Sequence, residues 1–395
     1  MNIKSLLLGS AAALVAVSGA RAADAVVVAE PEPVEYVRVC DVYGAGFFYI
    51  PGTETCLAIS GYVWYQISAD SRGIDRDPRP TGAFVDRVDA WAKSVRARVN
   101  FDARSETEWG TLRGYIRMQA DWDTQNQIGV VYDGPSPADA IGIFNYGGDG
   151  VVRLDQAWLS LGGLQMGYTE SAWAASFNGG ATNWGSHSWG GLSYGYQQRH
   201  QISYTFQGGN GFFGTLSLED DGNSNFMPDI VAKVGLTQGW GAVWAKVAYD
   251  EDIAPASNGA FGERLLPLSG VDGWAASLGA QINVPNMPGS SLRLIGFYAN
   301  NANAYSAGAL GWGGRWSVLA SYNHVFSPKL SASVGLQYTA DTNFATAGSP
   351  SRFDAELSIV AVPVQNFEIR TEITYTKPST TNGYANGFLR FTRYF

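Results

Sequence analysis

The chain has 395 residues, 46% hydrophobic and only 15% charged, with 48 Gly, 13 Trp, 20 Tyr and 19 Phe. An ordinary soluble domain carries about 25% charged residues and about 7% Gly, so this chain is poor in charge and rich in Gly and aromatics. Its apolar content excludes disorder, and its 35 acidic residues against 26 basic ones speak against nucleic-acid binding. After the N-terminus, no segment has the 18 or more uninterrupted apolar residues of a spanning helix.

Residues 1–22 read as an export signal. Lys4 supplies the positive start, Leu6 to Val17 the apolar core, and Ala20-Arg21-Ala22 an A-x-A cleavage site. Its removal takes away Lys4 and Arg21, so the mature net charge is 24 minus 35, or −11. Residues 23–57 form an acidic, Pro-containing lead-in that holds both cysteines, Cys40 and Cys56. A closely spaced pair in an exported chain reads as a disulfide. The competing reading, a metal site, finds no C-x-x-C, and His187, His200 and His324 are scattered.

From Ala58 to the end, runs of some 8 to 13 residues alternate apolar and polar, as strands with two unlike faces do. Residues 95–103 set Val95, Ala97, Val99, Phe101 and Ala103 against Arg96, Arg98, Asn100 and Asp102. Such runs fall near 58–69, 93–105, 110–122, 151–161, 164–171, 198–207, 212–220, 229–237, 241–251, 273–284, 290–300, 314–326, 329–341, 352–362, 366–377 and 384–395. The connections alternate between short turns, such as Gly162-Gly163 and Ser327-Pro328, and long loops near 70–92, 123–150, 172–197, 252–272 and 301–313. Sixteen strands with short periplasmic turns and long extracellular loops describe an all-β, antiparallel transmembrane β-barrel. A soluble β-sandwich also alternates, but its loop lengths have no reason to. Trp109, Trp122, Trp240, Trp274, Trp312 and Tyr384 stand near strand ends, where membrane interfaces would fall.

The segment VCDVYGAGFFYIPGTETCLAISGY (39–62), the run Asp155-Gln156-Ala157-Trp158-Leu159-Ser160-Leu161-Gly162-Gly163-Leu164 and the aromatic C-terminus resemble the porins of alphaproteobacteria such as brucellae and rhizobia. The resemblance extends over essentially the whole chain. It implies a trimeric diffusion channel in outer-membrane lipid and lipopolysaccharide, a loop at about 172–197 folded inward as a constriction, and a terminal Phe395 read by the barrel-assembly machinery. One departure is Arg393, which stands where the alternation of the last strand calls for an apolar residue.

By strand parity Arg96, Arg98 and Arg104 share one polar face, and Arg113, Arg117 and Asp121 share the next, so both faces should point into the lumen. On the lipid side such groups cost about 2 to 4 kcal/mol each at mid-depth. They either tune the passage of solutes or simply pair along the wall. The loop itself carries no Asp, Glu, Lys or Arg between residues 171 and 197, unlike the acidic constriction loops common in general porins. It offers Trp173, Trp184, His187, Trp189, Tyr194 and Tyr196 instead. These either stack on sugars or pack the loop against the wall.

Two motifs fail on context. Gly191-Leu192-Ser193-Tyr194-Gly195 fits a nucleophile elbow but has no helix after it. Gly209-Asn210-Gly211-Phe212-Phe213-Gly214 fits a dinucleotide fingerprint but leads into a strand. No cofactor or metal ion is expected. The reading is a porin for passive diffusion of small hydrophilic solutes and ions. The alternatives are a saccharide facilitator, an adhesin, or a hydrolase built from Ser193 with His187 or His200.

Overall fold

The structure, a computed structural model, describes residues 38–71, 91–123, 128–132, 140–145, 149–174, 185–189, 192, 197–220, 226–251, 272–301, 303–306, 314–342, 344 and 350–395. The signal segment 1–22, Trp184, Ser193, Tyr194, Tyr196 and Trp312 lie outside the described residues.

Sixteen antiparallel strands close on themselves. The first eight are β1 Cys56–Asp70, β2 Trp91–Thr107, β3 Gly110–Asp123, β4 Asp149–Leu161, β5 Leu164–Glu170, β6 Gln198–Gln207, β7 Phe212–Glu219 and β8 Asp229–Gln238. The second eight are β9 Gly241–Asp250, β10 Gly273–Asn283, β11 Ser291–Ala299, β12 Trp316–Ser327, β13 Leu330–Ala340, β14 Arg352–Val364, β15 Phe367–Pro378 and β16 Tyr384–Tyr394. Each pairs with its sequence neighbour, and β16 pairs with β1 (Phe391 opposite Tyr65, Tyr394 opposite Tyr62), which leaves the barrel wall no open edge. Every expected strand is present within about two residues. A separate hairpin, Ile128–Tyr132 with Ala140–Asn145, lies in the loop between β3 and β4, where no strand was expected.

The wall is inside-out relative to a soluble protein. Leu278, Val318, Ile116, Leu216 and Ile373 are exposed outward, while Gln119, Ser217, Gln337 and Thr376 are buried on the lumen side. That distribution suits a lipid solvent, in which backbone groups must all be paired along the strands. Exposed aromatics cluster at both ends, with Trp274–Tyr298 and Trp316–Tyr338 in contact at the long-loop end and Trp109, Trp240 and Phe326 at the short-turn end. Several short turns use asparagine or glycine with positive φ, as at Gly162, Asn210, Asn286 and Asn366, the backbone that tight hairpins demand. Arg393 stays on the outer face opposite Val63. It sits at the short-turn rim and donates to the Asn366 carbonyl, so its charge is at the interface instead of mid-bilayer.

The lead-in forms a small hairpin: Phe47–Tyr49 pairs with the start of β1, Phe47 opposite Ala58 and Tyr49 opposite Cys56. Cys40 and Cys56 are joined in a disulfide with Cα atoms 5.9 Å apart, buried against Phe47. The Arg104 guanidinium lies 4.9 Å from the Phe47 ring centre and 5.6 Å from that of Tyr43. β1 begins at Cys56, so the disulfide anchors the lead-in directly to the first strand.

Candidate functional site

β5 has seven residues where its neighbours β4 and β6 have 13 and 10, so the chain leaves the wall part-way up and the loop after Glu170 turns into the barrel. Its root is fixed in the wall. The Ala172 amide donates to Glu219 at 2.8 Å, and the Lys246 ammonium donates to the Trp173 carbonyl at 2.8 Å. Trp173 is fully buried among Phe297, Tyr305, Trp244 and Leu319, on the lumen face of β9 to β12. Trp173 therefore holds the loop to the wall and does not present its ring to the lumen.

The far part of the loop docks along the next strands. Arg293 on β11 donates to the Ser186 carbonyl at 2.7 Å. The two ring nitrogens of His187 meet Ser321 at 2.7 Å and Ser291 at 2.9 Å. Burial, reinforced by the nearby Arg293 charge, pushes His187 down to about 3. The ring is thus neutral, donating to one serine hydroxyl and accepting from the other. Ser188 and the Leu192 amide both donate to Glu356 on β14, at 2.5 and 2.9 Å, and the Trp189 amide donates to Glu372 on β15 at 2.6 Å. The Trp189 ring covers Arg390 on β16, whose guanidinium also lies against Trp64 and Phe388 and donates to Gln66. The loop without charges is held by charges of the wall.

The wall from β2 to β5 carries a dense set of lumen charges, grouped around three aspartates. Arg96 and Arg153 pair with Asp121 at 2.5 and 2.8 Å. Arg104 and Arg113 share Asp102 at 2.7 and 2.8 Å. Arg98 and Arg117 share Asp155 at 3.5 and 2.6 Å, with Glu170 3.9 Å from Arg117. These ion pairs set six arginines against four carboxylates, and a fifth carboxylate on the same face, Glu106, accepts from Thr111 at 2.9 Å. Parity placed Arg96, Arg98, Arg113, Arg117 and Asp121 together, and the strands bring them onto one face: Arg96 stands opposite Asp121, and Arg104 opposite Arg113. Sequence reasoning missed Arg153, Asp155, Glu170 and Arg390. A register shift on β4, between the pairs Arg117–Gln156 and Met118–Leu154, leaves Asp155 as an extra residue. That bulge lets both Arg153 and Asp155, and then Gln156 and Trp158, face the lumen.

A barrel with an apolar outer band, a polar lumen and an inward loop is the architecture of a membrane channel. Residues 24–387 match the family described as the porin subfamily. Porin Omp2a of Brucella ovis is 37% identical over 95% of this chain and 99% of its own length, and porin Omp2b of Brucella suis is 36% identical over 95% and 93%. The chain belongs to the porin subfamily. It is an outer-membrane porin, a channel for passive diffusion, and the resemblance to brucella porins holds. Among solved structures, the outer membrane channel DcaP of Acinetobacter baumannii superposes with a TM-score of 0.58 at 14% identity, covering 88% of this chain and 99% of that one. OprB of Pseudomonas putida gives 0.54 at 12% identity, over 86% and 94%, and the trimer form of OmpT of Vibrio cholerae gives 0.52 at 11%, over 87% and 100%. At such identities the likeness to these structures is one of fold alone.

Proposed function

We propose that the loop after β5 is the constriction of this porin and that the arginine network of β2 to β5 gives it a preference for small hydrophilic anions. One observation carries the reading: the described residues of the loop dock on β9 to β16, so the wall they leave facing the lumen is the one where six arginines and five carboxylates stand together. Fixed charges on a pore wall raise the local concentration of the opposite ion. The acidic surplus of the whole chain does not decide the matter, because much of it lies away from this wall. The test is the reversal potential of the purified channel in a planar bilayer under a tenfold KCl gradient. An anion-selective sign supports the reading and a cation-selective one ends it.

Three copies associate through their outer walls in this reading, as the OmpT trimer form suggests, and Phe395 marks the strand that the assembly machinery reads. No hydrolytic activity is expected. Of the two histidines that could have served Ser193, His187 has both ring nitrogens bonded to Ser321 and Ser291, and His200 lies exposed on the outer face against Tyr168. A sugar-stacking role for the loop aromatics has little support, since Trp173 and Trp189 are both committed to holding the loop.

A further inference from the structure

Below the arginine network, at the short-turn end beside Gly162-Gly163, the wall has an open recess of about 390 Å³ bordered by Arg113, Trp158, Ser160, Gln165, Thr205 and Gln207, and also by Tyr204 and Phe206. The volume lies in the range of small-molecule sites, about 300 to 1,000 Å³. The first six come from four adjacent strands, β3 to β6, and alternation together with the β4 bulge brings them to one face. Ser160 stands opposite Arg113 on one side and Gln165 on the other, and Gln165 stands opposite Ser203. One strand further, the Thr205 hydroxyl meets that of Thr215 on β7 at 3.0 Å. Tyr204 and Phe206, which alternate with Thr205 and Gln207 on β6, are exposed, so the recess reaches the rim of the wall.

The chemistry of the lining is asymmetric. At one end is the Arg113 guanidinium, 4.7 Å from the ring centre of Trp158, which in turn stacks on Tyr115 at 5.1 Å. At the other are two amides and two hydroxyls that can both donate and accept. Arg113 engages Asp102 through Nε and Nη2, and Asp102 also serves Arg104, so one carboxylate answers two guanidinium charges. Among the described residues that border the recess Arg113 is the charged one, and so the group placed to meet a ligand carboxylate. Guanidinium–carboxylate bonds are among the stronger hydrogen bonds and carry directional specificity. An aromatic edge beside amides and hydroxyls suits the mixed apolar and hydroxylated surface of a sugar ring.

We propose that this recess is a binding subsite for a sugar acid, a ring bearing both a carboxylate and several hydroxyls, on the periplasmic side of the constriction. The inference rests on the reading of the barrel interior as an anion-preferring lumen. Arg113 takes the carboxylate, Gln165, Gln207, Ser160 and Thr205 take the hydroxyls, and Trp158 lies along the ring. A solute leaving the constriction is retained briefly here, which makes its flux saturable where that of a simple ion is linear in concentration.

The experiment records single channels of the full mature protein with galacturonate, glucose or acetate added on the short-turn side. Saturable current fluctuations with galacturonate, at concentrations at least tenfold below any effect of glucose or acetate, are the expected result. Arg113→Gln and Gln165→Ala should each weaken the galacturonate effect about tenfold. Gln165 stands outside the ion-pair network, so its variant keeps the test decisive if the Arg113 variant fails to assemble. An equal response to glucose, or an unchanged response in both variants, overturns the proposal, as does no saturable effect in a channel that is anion-selective. A cation-selective channel that still saturates with galacturonate overturns the selectivity reading and supports this one.

Discussion

Trp173 meets Tyr305 edge-on, ring centres 5.8 Å apart and planes at 74°, and neither side chain has any exposed surface. They come from different loops: Trp173 from the inward loop after β5, Tyr305 from the connection between β11 and β12. The Tyr305 hydroxyl donates to Asp229 at 2.9 Å, and the adjacent Ala304 amide donates to Asp250 at 2.8 Å. One extracellular connection therefore pins the other against the wall. Trp173→Ala should cost about 3 to 5 kcal/mol of docking and free the root of the loop. The expected outcome is a larger mean single-channel conductance with frequent substates, while the barrel still shows its heat-dependent gel shift. Tyr305→Ala should do the same from the other side, and the double variant should cost less than the sum of the two single ones, because they share one contact.

Asp155 is the centre of the basic wall, since it answers both Arg98 and Arg117. Asp155→Asn leaves those two guanidiniums with less opposing charge. A unit charge at about 4 Å in a water-like medium is worth about 1 kcal/mol, or roughly a fivefold change in an equilibrium. The anion-to-cation permeability ratio, read from the reversal potential, should rise by up to that factor. It should fall in Arg98→Gln or Arg117→Gln. Identical reversal potentials in all three variants would mean that these residues only brace the wall.

His187 gives the loop a defined dependence on acidity. Its folded value of about 3 lies below the ordinary 6.5 because burial beside Arg293 disfavours the charged ring. A lowered base contributes its full share of docking above pH 6.5 and loses it as pH falls toward 3. At pH 5 the penalty is about 2 kcal/mol. Channels recorded at pH 5 should show more loop-related noise than at pH 7.5. His187→Gln, which keeps polar contacts but does not titrate, should remove the difference.

The strands were legible because lipid outside and water inside impose alternation on every one of them, and the parity of Arg96 with Arg98 and of Arg113 with Arg117 followed from it. The β4 bulge was not legible. In Arg153-Leu154-Asp155-Gln156-Ala157-Trp158 the polar parity changes at Asp155, and that break is the signal that could have revealed the extra residue. The docking surface of the loop also had a trace in the sequence. Strands such as Gly241–Asp250 carry Trp244 and Ala248 on the lumen side, apolar where water would call for polar groups, because Trp173 covers them. The charges beneath the loop, Glu356 and Glu372, read in the sequence as ordinary lumen residues. Only the three-dimensional placement of residues 185–189 and 192 shows them bound to backbone amides.

The seam of the barrel rests on a residue with no side chain. Gly61 and Phe395 exchange backbone hydrogen bonds at 3.0 and 3.1 Å, the last of the pairings that join β16 to β1. A Cβ at position 61 would stand 2.1 Å from the Arg98 carbonyl oxygen and 2.9 Å from the Phe395 ring. The first clash is with backbone and cannot be relieved by a rotamer change, so even Gly61→Ala must push β1 away from β2 or from the C-terminus. Closure is what removes the unpaired edge from the bilayer, where each orphaned backbone group costs several kcal/mol. Gly61→Ala should therefore reduce the yield of heat-modifiable barrel in refolding from urea into detergent or vesicles, and Gly61→Val should abolish it. Phe395→Ala keeps the backbone bonds and loses only the ring, so it should refold better than Gly61→Val. A normal yield for Gly61→Val would show that the seam tolerates a side chain and that the close approach has no part in closing the barrel.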